Sequence, residues 1–254
     1  SYQPLDERGE LAEINAGLNR AGDYLMQKDN TRAEWIRGVS HDIRTPLSMV
    51  LGYASELEDD DTLPTDARQQ AGMIRRQGER LRSLVEDLNL TTKLEYALQP
   101  IRRESVDLVE IGRQAVSEVL NSGLPERYEI EFSEEHPGRA ARMEGDAALL
   151  RRMLDNLIRN SIVHNPRGCH ISVTVGAEDG RCTCTVTDDG VGLDAPRLEA
   201  LNREADVAST QDGEHGLGLK LVRQIVKAHG GTVQFWQAVP QGLEVCISIP
   251  TRNV

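Results

Sequence analysis

Residues 40–47, SHDIRTPL, put an imidazole, a carboxylate, a guanidinium and a hydroxyl within two helical turns. His41 falls two positions after Val39 and two before Ile43, so at 100° per residue it points away from the apolar stripe those residues begin. Arg44 and Thr45, at i+3 and i+4, share its face, and Asp42 is next to it. This set suits phosphoryl capture. A neutral imidazole attacks through one nitrogen while a carboxylate accepts the proton from the other. Pro46 removes the amide that would bond the Asp42 carbonyl, so the helix is expected to bend or loosen beside His41.

A second set lies further along. Asn156 and Asn160 are four apart on one helix, on the side opposite its apolar face, with His164 a turn beyond. Aligned carboxamides offer carbonyl oxygens to a hard cation such as Mg²⁺. A strand then ends in Asp188, Gly190 and Gly192, where a carboxylate can accept from an adenine amino group and glycines let the backbone pass close to a base. Gly216, Leu217 and Gly218 open another helix, whose first amides are free for phosphate oxygens. Each glycine pair alone is a weak signal; their order is a strong one.

The elements that must carry these residues fall into three zones. Residues 6–98 read as helix, with few Gly or Pro. Ile36, Val39, Ile43, Leu47, Val50, Ala54 and Leu57 recur at steps of three and four, and DDDTLPTD breaks the pattern before a second helix with Ile74, Leu81, Leu84, Leu88 and Leu94. A two-helix hairpin cannot bury both stripes, so a homodimeric four-helix bundle is expected. Packing against the C-terminal domain is the alternative. Strand and helix signals alternate from Val106 on, as in an α/β or α+β domain, and the whole chain is read as α+β. The expected divisions are 1–28 as a signalling helix or linker, 29–99 as the helical hairpin, 100–105 as a hinge around Pro100, and 106–254 as a nucleotide-binding domain.

With 29 basic against 41 acidic residues, the net charge of −12 argues against general binding to nucleic acid or to an anionic membrane surface. A nucleotide phosphate site needs only local backbone dipoles. Cys169, Cys182, Cys184 and Cys246 lie in strand-like runs without metal-ligand spacing and read as packing residues.

SHDIRTPL resembles the H-box of bacterial sensor histidine kinases, and the order Asn-x-x-x-Asn, Asp-x-Gly-x-Gly, Gly-x-Gly-Leu resembles the N, G1 and G2 boxes of the GHKL ATP-binding fold. The resemblance covers nearly the whole chain. It implies His41 as phospho-acceptor, Asp42 as general base and Thr45 as a residue that helps position water for dephosphorylating the partner. It places adenine on Asp188, Mg²⁺ on Asn160 with Asn156 nearby, phosphates at Gly216 and Gly218, and a mobile lid over roughly 193–215. The implied fold is a helical hairpin followed by an α/β sandwich of mixed sheet on helices. The implied partners are ATP and the receiver domain of a response regulator. A HAMP-like start implies the cytoplasmic portion of a membrane-anchored receptor. Two departures stand out. Val163 occupies a position usually Lys or Arg, and the lid lacks an aromatic motif while carrying Glu199, Glu204, Asp206, Asp212 and Glu214. A phosphatase or scaffold with impaired kinase activity, and a non-kinase GHKL ATPase, are the alternative readings.

Overall fold

The computed structural model describes residues 12–95, 101–203 and 216–251. The chain divides into two compact units, Ser1–Leu98 and Gln99–Val254. No helix among the described residues is long and apolar enough to cross a membrane.

The first unit is an antiparallel hairpin of α1 (Ala12–Asp59) and α2 (Thr65–Glu95). Helix α1 runs on through Pro46 without a break. The turn forms because Asp60 accepts from the amide (2.8 Å) and the hydroxyl (2.6 Å) of Thr62, an arrangement that short polar side chains favour over helix continuation. Beside it the two helices are tied by Glu58, which pairs with Arg75 at 2.5 Å. That hydrogen bond holds the Glu58 carboxyl below its usual range. Gly72 lies under the same carboxylate, where a Cβ would come within 2.5 Å of its oxygen.

Buried positions recur every seven residues: Ser40, Leu47 and Ala54 on α1, and Ala71, Gly78 and Val85 on α2. Such a repeat keeps one face of each helix in register with its neighbour. At Gly78 the helices approach so closely that a Cβ would lie 2.7 Å from Leu51. The sequence stripe on α1 therefore divides. Ile36, Leu47 and Ala54 are buried, whereas Val50 and Leu57 stay 45% and 47% exposed. On α2, Ile74, Leu81 and Leu88 remain 52%, 47% and 39% exposed, which leaves a second apolar face on the hairpin.

The second unit begins with β1 (Glu104–Asp107), α3 (Leu108–Asn121), β2 (Tyr128–Glu134), β3 (Arg142–Gly145) and α4 (Ala147–His164). It continues with β4 (Cys169–Glu178), β5 (Arg181–Asp188), α5 (Ala195–Asn202), α6 (Gly216–Ala228), β6 (Thr232–Gln237) and β7 (Leu243–Pro250). The main sheet has the order β2-β4-β5-β7-β6. It is mixed, since β2 and β4 are parallel and the other pairs antiparallel. Glu104 and Ser105, within the segment expected to hinge, pair with Gly145 and Glu144 in a separate two-stranded sheet.

Alternation along the strands sends Ile171, Val173, Cys182, Cys184, Val186, Val245 and Ile247 into a core with Leu154, Ile158 and Ile225 from the helices. The other face carries Thr174, Thr183, Thr185 and Glu244, which are only half-buried. Cys169, Cys182 and Cys184 are buried and Cys246 is half-buried. Burial pushes the Cys184 thiol up to about 12 and that of Cys182 up to about 11, so they pack as neutral groups.

Candidate active site

One candidate site is on α1. The His41 side chain is 77% exposed, and its Nδ1 lies 3.5 Å from Asp42 Oδ1. Arg44 and Thr45 are exposed as well. They share a face because a helix brings i, i+3 and i+4 together. The proline one residue later leaves helix α1 intact, and the Ser48 hydroxyl turns back onto the Arg44 carbonyl at 2.9 Å. The imidazole is thus held beside a carboxylate and open to an incoming group.

A second candidate site, in the other unit, is built around α4, α6 and the end of β5. Asp146 caps α4 by accepting from the amides of Ala148 (3.1 Å) and Leu149 (3.2 Å). Asn156 is not on an open side of α4, as its spacing suggested, but buried. Its Nδ2 donates to the Arg152 carbonyl at 3.0 Å, and its Oδ1 faces Gly218 at the start of α6. Asn160 is half-buried, and its carboxamide makes no hydrogen bond with the described residues. His164 closes α4, half-buried, and Val163 beside it is exposed. Gly216, Leu217 and Gly218 form the first turn of α6, where helix geometry leaves amides without intrahelical partners.

Asp188 ends β5 and is buried. Its Oδ2 accepts from the Ser161 hydroxyl at 2.8 Å. Its Oδ1 accepts from Asn165 Nδ2 (3.3 Å), the Gly190 amide (3.1 Å) and the Leu243 amide (3.4 Å). Two glycines beside it leave no room for a side chain. A Cβ at Gly190 would overlap the Asn165 carboxamide, and one at Gly242 would overlap the Asp188 carbonyl oxygen. Gly192 and Gly242 have φ of 66° and 114°, backbone that L side chains resist. Asn165, Ser161 and Gly242 were not picked out from the sequence, although Ser161 and Asn165 repeat the i, i+4 step of the two asparagines.

Part of the expected lid is a short helix. Asp194 caps α5 by accepting from the Arg197 amide at 2.9 Å. Asn202 then docks α5 on edge strand β6, donating to the Phe235 carbonyl (2.7 Å) and accepting from its amide (3.0 Å). Glu199 is exposed and pairs with Arg203 at 3.0 Å. Glu204, Asp206, Asp212 and Glu214 lie outside the described residues, as do residues 1–11 of the HAMP-like start.

Two families match the two units. Residues 31–97 match the His Kinase A (phospho-acceptor) domain. Residues 145–253 match the family described as histidine kinase-, DNA gyrase B- and HSP90-like ATPase. The chain belongs to the sensor histidine kinases.

Relatives of this histidine kinase chain agree in extent. Sensor histidine kinase YvrG of Bacillus subtilis is 34% identical over 91% of the chain and 41% of its own length. The probable sensor histidine kinase TcrY of Mycobacterium tuberculosis is 27% identical over 95% of the chain and 52% of its own length. The chain therefore spans about half the length of the curated relatives it matches. Among solved structures, full-length ShkA in complex with AMPPNP superposes with a TM-score of 0.69 at 27% identity, over 87% of this chain and 46% of that one. Histidine kinase AdeS of Acinetobacter baumannii shares the fold, with a TM-score of 0.58 at 20% identity over 84% of this chain and 98% of that one. The kinase family thus accounts for both the hairpin and the mixed sheet on helices, the latter being its ATP-binding domain.

Proposed function

We propose that the chain moves the γ-phosphoryl group of ATP to His41 and then to an aspartate in the receiver domain of a response regulator. The observation that carries this is the exposed His41 imidazole with Asp42 3.5 Å from its Nδ1. With the carboxylate on the Nδ1 side, Nε2 is the nitrogen left to attack. The bond formed is Nε2–P, the bond broken is the β–γ bridging P–O, ADP leaves, and the Nδ1 proton passes to Asp42. Asp188 supports adenine recognition, since an ionised carboxylate accepts from an amino group and not from a carbonyl. The first turn of α6 offers amides to phosphates. Thr45, exposed on the face of His41, supports a role in positioning water for the reverse, hydrolytic activity.

Mg²⁺ fits this arrangement through Asn160, whose carboxamide oxygen is a hard donor without a competing bond among the described residues. When bound, the ion neutralises phosphate charge. Asn156 and His164, one turn to either side on α4, stand beside the ion in this reading.

The partner copy is supported by the second apolar face, on which Ile74, Leu81 and Leu88 repeat every seven residues. The division at 1–28, 29–99, 100–105 and 106–254, with a hinge that lets His41 meet ATP and then the regulator, belongs to the same proposal. So does a membrane-anchored parent protein, supported by the HAMP-like start of the sequence.

Incubation with γ-labelled ATP and Mg²⁺ tests it. Acid-labile, alkali-stable label that is lost in His41→Gln is the expected result. The exposed Val163, where a cation is usual, favours the alternative of a phosphatase or scaffold with impaired kinase activity. Nucleotide binding without labelling would establish that alternative. ATP hydrolysis unaffected by His41→Gln would indicate a non-kinase ATPase.

A further inference from the structure

Asn165 is an unusual C-cap. It follows α4 directly, precedes Pro166, and is buried with both polar atoms of its side chain engaged on three different segments. Its Nδ2 donates to the Ser161 carbonyl one turn back (2.8 Å) and to Asp188 Oδ1 at the end of β5 (3.3 Å). Its Oδ1 accepts from the Val191 amide in the glycine loop at 2.9 Å. Both ends fix the orientation of the carboxamide, because a carboxylate can only accept and a backbone amide can only donate. A flipped side chain would set oxygen against oxygen and N–H against N–H. Gly190 has no Cβ because that space belongs to the Asn165 carboxamide.

The consequence falls on Asp188. Oδ1 already receives Asn165, Gly190 and Leu243, while Oδ2 receives Ser161 alone. The carboxylate is therefore turned so that its less engaged oxygen is Oδ2.

We infer that Asn165 is a positioning residue for the nucleotide: it locks Asp188 so that Oδ2 receives the amino group of adenine, and in doing so it selects adenine over guanine. This inference rests on the reading of Asp188 as the adenine acceptor. Guanine carries a carbonyl where adenine carries the amino group, and it meets a carboxylate that cannot rotate away or donate. Loss of the Asn165 tether frees Asp188 and weakens both the affinity for ATP and the discrimination against GTP.

Asn165→Asp is the informative variant because it keeps shape and keeps the acceptor for Val191, but replaces the donor facing Asp188 with a second carboxylate. Two carboxylates at that distance share a proton at lower pH. The protonated acid then donates to Asp188 as the amide did. Calorimetric titration of the whole chain with ATP, and with GTP, should show ATP affinity reduced about 10- to 100-fold at pH 8. Much of that loss should be recovered near pH 5, with the ATP-to-GTP ratio recovering in parallel. A purely structural C-cap would give no such recovery. Wild-type affinity and selectivity in folded Asn165→Asp at pH 8 would overturn the inference. If that variant does not fold, Asn165→Ala decides: folded protein with unchanged ATP affinity overturns the inference, and weakened affinity with lost selectivity supports it. Asp188→Asn separates the two layers. ATP binding unaffected by Asp188→Asn sinks the reading of Asp188 itself. Binding lost there but retained in Asn165→Asp sinks only the role of Asn165.

Discussion

The carboxamide oxygen of Asn156 lies against the α-carbon of Gly218, so closely that a Cβ there would sit 3.1 Å from it. One residue belongs to α4 and the other to the first turn of α6, so this contact sets the spacing between the asparagine pair and the first-turn amides of α6. Gly218→Ala should push the two helices apart by a few tenths of an ångström. ATP affinity should fall about fivefold, from a strain of about 1 kcal/mol. The melting temperature should change little, since alanine also favours the helix. Titration with ATP and a thermal melt check both.

Asp42 should act on the chemical step alone. Asp42→Asn keeps the size of the side chain beside His41 but removes its capacity to take the proton. Autophosphorylation should slow about 10²-fold, with ATP affinity unchanged, as measured by single-turnover labelling beside calorimetry.

His229 links the helices at their other ends. Its Nδ1 donates to the Ile225 carbonyl at 2.7 Å, and its Nε2 accepts the Asp146 amide at 3.0 Å. Only the neutral ring can do both. Burial is the main cause of a pKa below the ordinary histidine value; the nearby charge of Arg103 also lowers it, against the opposing Ile225 hydrogen bond and Asp146 charge. The unfolded chain therefore binds the proton more readily. The stabilisation is fully present above the unfolded value of about 6.5 and is lost as pH falls below it, with a slope of at most about 1.4 kcal/mol per pH unit. Melting temperatures at pH 8 and pH 5 should differ less in His229→Gln than in the wild type.

Val163 lies seven residues beyond Asn156 and three beyond Asn160, exposed on a helix that carries both. Restoring a cation there with Val163→Lys should tighten ATP binding about three- to tenfold at low salt, the scale of a partly exposed charge on phosphate. Raising the ionic strength should diminish the gain.

Leu81→Asp should leave the hairpin folded, because Leu81 is outside its buried seam. It should convert a dimer to a monomer in sedimentation experiments, since it puts a charge into the apolar face expected to meet the second copy.

The sequence by itself determined which groups are chemically available and which helix faces they share. Periodicity of 3.6 residues is a local property, so His41 could be turned away from the stripe of Val39 and Ile43 without any knowledge of packing. The same holds for the turn at Asp60 and the alternation that buried Cys182 and Cys184. Order along the chain sufficed to single out Asp188 and the glycines as candidates.

Tertiary structure decided what distance along the chain hides. The stripe on α1 did not reveal that Leu47 and Ala54 face α2 while Val50 and Leu57 do not, because that depends on the rotation of one helix against another. Asn156 became buried only when the start of α6 closed over it. Asn165 had no signal of its own, since its three partners come from α4, β5 and the glycine loop and converge only when the sheet is assembled. A single side chain can report its own helix through spacing, but a hydrogen bond across segments exists only in three dimensions.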